Sequence, residues 1–129
     1  MSPAIPRYSD AVRALFKALA GAGDLAADGG KTVSGEAAAL DRGAWVRFTA
    51  RIEGGRFADC RFRAYGCPHT LAAASLVAVR LRGAPLVAAS SIDAAGIARE
   101  LDAPAEKMGR MLVVEDAWRA LLADLGRVQ

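Results

Sequence analysis

Two stretches of strict alternation, AWVRFTARI and RFADCRFRAY, constrain the fold more than anything else in the chain. In the first, Val46, Phe48, Ala50 and Ile52 fall on one side of an extended backbone; in the second, Ala58, Cys60, Phe62 and Ala64 do. A period of two belongs to a strand with one face buried. Only Glu53-Gly54-Gly55 separates the two stretches, so they predict an antiparallel hairpin. Both apolar sets are even-numbered, and they share a face only if an odd number of residues lies between paired positions. A three-residue loop at Glu53-Gly54-Gly55, with a glycine at positive φ, meets that condition. Ile52 then faces Arg56, Phe48 faces Cys60 and Val46 faces Phe62. The other face carries Arg47, Thr49, Arg51, Asp59, Arg61 and Arg63, with Trp45, Phe57 and Tyr65. Arg47 and Arg61 become cross-strand neighbours, an unfavourable pairing that Asp59 on the diagonal relieves.

The rest of the chain is mostly helical in pattern. Ser9 is placed to cap a helix over 10–19, with Val12, Leu15, Phe16 and Leu19 on one face. AGAGDLAADGGKTVSGE has no sustained period and reads as loop, with a short edge strand near 31–33. Small apolar residues after Cys67 predict a helix to about Leu81, ended by Gly83 and Pro85. LVAASSIDAAGIAREL reads as one or two short helices. Pro104 suits the first turn of a last helix, with a stripe of Met111, Val114, Trp118, Leu121, Leu122 and Leu125. The order of helix, strands and then only helices implies an α+β fold, with helices covering one face of a small antiparallel sheet.

With 129 residues, 53% of them hydrophobic, the chain can build a core and is not disordered as a whole. Neither a repeat nor a linker divides it, so one domain is expected over 1–129, with 1–7 as a flexible leader. No run approaches the ~18 apolar residues of a membrane span, and the N-terminal stretch mixes charged with apolar residues, unlike a signal peptide. A cytoplasmic location without membrane attachment is expected. A net charge of +3 permits an anionic partner without requiring nucleic acid. Trp45 and Tyr65 beside the arginines are weakly similar to a nucleic-acid platform. No recognition motif accompanies them, and the stripe reads as a solvated sheet face.

Chemistry concentrates in Gly66-Cys67-Pro68-His69, where a strand gives way to a helix. Cys67 falls at the helix N-cap with Pro68 at the first helical position. Free backbone amides and the helix dipole favour a thiolate there. Such a thiol can be a metal ligand, a nucleophile or a sulfur acceptor; a buried, inert cysteine is the alternative. His69, the only histidine, makes Cys-x-His with it. Two ligands do not complete a metal site, and a solvent-facing first-turn histidine is the expectation. Cys60 faces the core as a small apolar filler. Across an extended stretch the two cysteines sit roughly 20 Å apart, against the ~7 Å limit for a disulfide.

RFRAYGCPHTLAAASLVAVRLRG resembles the NifU/IscU-type iron–sulfur cluster scaffold family, in which a strand ending in Gly-Cys leads into a small-residue helix. YSDAVRALF is similar to that family's opening helix, and IARELDAPAEK with VEDAWRALLADL to its C-terminal part. The resemblance runs over residues 8–125 in the right order. It implies a three-stranded antiparallel sheet with helices, of the SufE/NifU-like type, and a scaffold role without enzymatic turnover. It also implies iron or an iron–sulfur cluster as the bound group, a cysteine desulfurase or other biogenesis proteins as partners, and association between protomers. The family holds its cluster with three cysteines, an aspartate and a histidine. Only Cys67 matches, with His69 as a substitute ligand. Arg42-Gly43-Ala44 stands at the family's Cys-Gly-Asp, Gly109-Arg110 at its His-Cys pair, and 103–107 at its chaperone-binding segment. Arg42 and Arg110 are thus expected to flank Cys67, lowering its pKa and repelling iron. A single-cysteine persulfide acceptor for a desulfurase, or a protein-contact module keeping the fold, are the alternative functions.

Overall fold

The structure is a computed structural model that describes residues 8–25 and 31–128. The expected leader at 1–7 lies outside the described residues. The chain runs α1 (Asp10–Ala18), β1 (Lys31–Ala39), β2 (Ala44–Glu53), β3 (Arg56–Tyr65), α2 (Pro68–Leu81), α3 (Ala94–Leu101) and α4 (Met108–Val128). Short 3-10 turns at Leu40–Arg42, Leu86–Ser91 and Ala105–Lys107 join some of these. The strands form one antiparallel sheet in the order β1-β2-β3, so the expected α+β architecture is present.

β2 and β3 pair in a different register from the expected one. The turn is Gly54-Gly55, both at positive φ (57° and 73°), and Glu53 pairs with Arg56. Two such residues match the right-handed twist of the flanking strands. The extra residue that parity demands sits instead in β3. Ile52 pairs with Phe57 and Arg51 with Asp59, which leaves Ala58 as a bulge. Beyond it Ala50 faces Cys60, Phe48 faces Phe62, and Arg47 faces Arg63 rather than Arg61. The bulge also turns Phe57 inward. It is fully buried, not on the outer face, and tilts against Trp118 at 5.5 Å.

β1 is a nine-residue strand where only a short edge strand near 31–33 was expected. Its inward positions are Val33, Gly35, Ala37 and Ala39, too small to register as an apolar alternation. They are small because α4 crosses β1 at close range. A Cβ on Gly35 would lie 2.6 Å from the Ala117 carbonyl oxygen and from the Ala120 carbonyl carbon. The Ser34 amide donates to the Asp124 carboxylate at 2.9 Å and pins the crossing.

The core lies between the sheet's inward face and α2 and α4. Trp118 is its centre, edge-on to Phe48 at 5.5 Å, with its Nε1 donating to the Ala89 carbonyl at 3.0 Å. Burying each such large side chain contributes about 1.5–3 kcal/mol. α2 packs through Ala72, Ala73, Ala74 and Ala78, all fully buried, so its backbone comes close to the sheet. Ser9 accepts from the Val12 amide at 3.1 Å and caps α1 as expected. Its hydroxyl also donates to the Leu101 carbonyl, joining α1 to α3. Phe16, expected on the buried face, is 42% exposed. Among the described residues no helix is long and apolar enough to cross a membrane.

Candidate functional site

β3 ends at Tyr65, and at Gly66, with φ 145°, the chain leaves the sheet. A Cβ there would strain the backbone and press to 3.0 Å from the Thr70 hydroxyl, so glycine permits the sharp entry into α2. Cys67 follows as the extended N-cap, φ −73° and ψ 166°, with Pro68 opening the helix. Its carbonyl accepts from the amides of Thr70 and Leu71 at 2.9 and 3.2 Å, which fixes the turn. The half-buried sulfur lies 3.7 Å from the Thr70 hydroxyl.

These surroundings pull the Cys67 thiol below its ordinary pKa. Burial pushes the value up, but the amide and hydroxyl of Thr70, the amide of His69 and the charge of Lys107 together outweigh it. Cys60 is the opposite case. It is fully buried opposite Ala50, and burial, helped by the neighbouring Asp59 carboxylate, pushes its thiol up to about 12. The two cysteines are free thiols with opposite chemistry.

His69 does not face solvent. It is 2% exposed, with its ring 5.1 Å from that of Tyr8. An α-helix puts its first-turn residues on different faces, and position 69 turns toward Tyr8, ahead of α1, rather than outward. Burial first, then the charges of Lys107 and Arg110, push its pKa down against the weaker pull of Glu106, so the ring is held neutral. Among the described residues its buried Nδ1 has no hydrogen-bond partner, and neither has the Nε of Arg110.

The two arginines expected to flank Cys67 assemble at the start of α4. Arg42, from the 3-10 turn after β1, lays its guanidinium on Gly109, with Cζ 2.7 Å from where a Cβ would stand. Arg110 is the next residue, and its charge is felt at His69. The cation that acts on the Cys67 sulfur itself is Lys107, which sequence reasoning assigned to a partner-binding segment. Thr70 and Tyr8 were missed as site neighbours too. Thr70 stands three residues after the N-cap, a spacing that signals contact with a capping side chain; nothing local signals Tyr8.

The arginine stripe on the outer sheet face is largely neutralised from within. Arg63 forms a two-pronged pair with Asp24 at 2.6 and 2.8 Å, and Arg61 and Arg82 meet Asp59 at 3.1 and 3.2 Å. Trp45 stacks on Tyr65 at 6.0 Å and donates to Glu36 at 2.8 Å. Among the described residues no group of three or more histidine, cysteine or acidic side chains is placed to hold a metal ion. One thiolate and one buried imidazole do not supply the ligand set of a cluster within one protomer.

The family model of the NifU-like N terminal domain matches residues 7–127. The chain is 39% identical over 66 residues to the iron–sulfur cluster assembly scaffold protein IscU of Escherichia coli K12, covering 51% of this chain and 52% of that one. To the scaffold protein IscU of Haemophilus influenzae it is 35% identical over 72 residues, 56% of this chain and 57% of that one. The Drosophila melanogaster relative, 33% identical over 72 residues, 56% of this chain and 47% of that one, is named an assembly enzyme. The chain thus spans about half the length of the curated relatives it matches. A crystal structure of a putative SUF-system scaffold from Fervidobacterium islandicum superposes with a TM-score of 0.64. It covers 92% of this chain and 96% of that one at 16% identity, a likeness of fold.

Proposed function

Because the chain belongs to the NifU-like N-terminal domain family, the family of iron–sulfur cluster assembly scaffolds, we propose that it serves cluster biogenesis through the lone thiolate of Cys67, as a sulfur acceptor for a cysteine desulfurase. The observation that carries this reading is the company Cys67 keeps. It has a helix N-terminus, Thr70 and a lysine around it, and no second thiol within the site. Those groups favour a nucleophilic anion and disfavour an arriving iron cation. The transfer is a thiol–persulfide exchange. The Cys67 thiolate attacks the outer sulfur of the donor's persulfide, the donor's S–S bond breaks, and its electron pair leaves on the donor thiolate. No oxidant is consumed. The chain then acts as a cytoplasmic carrier rather than a turnover catalyst.

A second reading, weak or shared binding of iron or a cluster through Cys67 with another protomer, is favoured by the unpartnered Nδ1 of buried His69. Here the cluster is cargo, and His69 would add one ligand from each copy.

Incubation with a desulfurase and cysteine, followed by intact-mass measurement, separates the readings. A one-sulfur adduct lost in Cys67→Ser supports the carrier. No adduct, together with a cluster absorption band after anaerobic reconstitution with iron and sulfide, refutes the carrier and supports the second reading. Neither signal leaves a protein-contact module that keeps the fold.

A further inference from the structure

We propose that Lys107, Arg110 and Arg42, with the amino end of α2, form a binding site for a small tetrahedral oxyanion beside Cys67. The inference rests on Cys67 as the working thiolate and adds a ligand class to its site.

Cations from two separate segments meet at the start of α4. Arg42 arrives from the turn after β1 and fills the space that Gly109 leaves by lacking a Cβ; Arg110 and Lys107 flank that glycine. Among the described residues none of the three forms an ion pair, whereas Arg61, Arg63, Arg80, Arg82, Arg119 and Arg127 all do. Glu106 is the one carboxylate whose field reaches His69, and it is exposed.

Two buried polar atoms lack partners among the described residues: Nδ1 of His69, on a residue 2% exposed, and Nε of Arg110, whose charge acts on His69. Folded proteins rarely leave such atoms unsatisfied. α2, fourteen residues long, adds its positive end, while its Thr70 and Leu71 amides are already taken by the Cys67 carbonyl.

A carboxylate offers two acceptor oxygens, whereas a tetrahedral dianion offers three or four, which suits two guanidinium forks and an ammonium beside a helix N-terminus. A metal cation is repelled by the same groups. Sulfate, phosphate and thiosulfate share this chemistry, and only thiosulfate carries a transferable sulfur. In its case the Cys67 thiolate attacks the outer sulfur, the S–S bond of thiosulfate breaks, and the electron pair leaves on sulfite. Cys67 keeps the persulfide and no further oxidant is needed.

The test is an NMR titration of the full chain with sulfate and with thiosulfate, against chloride at matched ionic strength. It follows the amides of His69 and Thr70 and the Arg110 Nε–H. Saturable shifts are expected with both anions, weakened roughly tenfold by Lys107→Gln or Arg110→Gln. Arg42→Gln, on an exposed turn, gives a third comparison should either of those variants fail to fold. Release of sulfite with a one-sulfur adduct on Cys67 identifies thiosulfate as a donor; saturable binding without it identifies a positioning oxyanion. Shifts that match those in chloride, or affinities unchanged in all folded variants, overturn the proposal. Desulfurase-driven transfer is measured in the absence of these anions, so a failed titration with intact transfer refutes the anion site alone.

Discussion

Alkylation of the two cysteines tests the site directly, because the structure places them at opposite extremes. Cys60 has a pKa of about 12, so at pH 8 about one molecule in ten thousand carries its thiolate. Cys67 lies below the ordinary value of 9.0, so more than roughly one in eleven does. Ionisation alone thus favours Cys67 by about a thousandfold. The less basic thiolate is also the weaker nucleophile, and a Brønsted slope of about 0.4–0.5 over three pKa units returns roughly fifteenfold to thirtyfold. What remains is about thirtyfold to sixtyfold for a reagent that could reach both. Cys60 is fully buried, so its real route is through opening of the core. An opening free energy of about 5 kcal/mol leaves roughly two molecules in ten thousand open. A rate ratio of at least about one hundred is therefore expected for iodoacetamide in native buffer, read by peptide mass mapping. In denaturant the ratio should collapse toward one. Native rates within about threefold of each other would refute both the helix-terminus and the burial arguments.

Two further outcomes follow from the geometry. Gly35→Ala forces a Cβ into the α4 backbone, 2.6 Å from the Ala117 carbonyl oxygen. Because a helix backbone cannot swing aside like a side-chain tip, a loss of about 3 kcal/mol is expected. That corresponds to a fall of roughly 10 °C in Tm by calorimetry; an unchanged Tm would mean that α4 does not lie on β1 as described. His69 is held neutral by burial and by Lys107 and Arg110, with its folded pKa below the ordinary 6.5. The unfolded chain takes up that proton first, so stability is full above about pH 6.5 and falls as pH drops toward the folded value. His69→Asn should flatten that limb in urea titrations between about pH 7 and 5, and an unaltered slope would contradict the buried, neutral ring.

What the sequence could reveal divides along local and non-local lines. The inward faces of β2 and β3 were legible because alternation is a local property. Their register was not. Parity requires only that the hairpin contain one unpaired residue, and that residue can sit in the turn or in a bulge at Ala58 with the same effect on the alternation. β1 was mostly invisible because its inward residues answer to α4, nearly ninety positions away in the chain, and closeness there demands small side chains. Cys67 was legible as an N-cap because its strand, glycine and proline are its sequence neighbours. The burial of His69 depends on Tyr8 at the far end of the chain, and the field at Cys67 depends on Lys107.

The same distinction bears on the charge of the site. Arg42 and Arg110 read along the chain as two unrelated cations. In space both stand at Gly109. The Arg42 guanidinium occupies the volume of the side chain that Gly109 lacks, so a Cβ at 109 would push the tip of that flexible side chain off its seat. Glycine at 109 thus gives the Arg42 guanidinium a seat on α4 beside Arg110. Gly109→Ala should displace Arg42 from that seat without supplying a ligand set, which requires changes in both segments together.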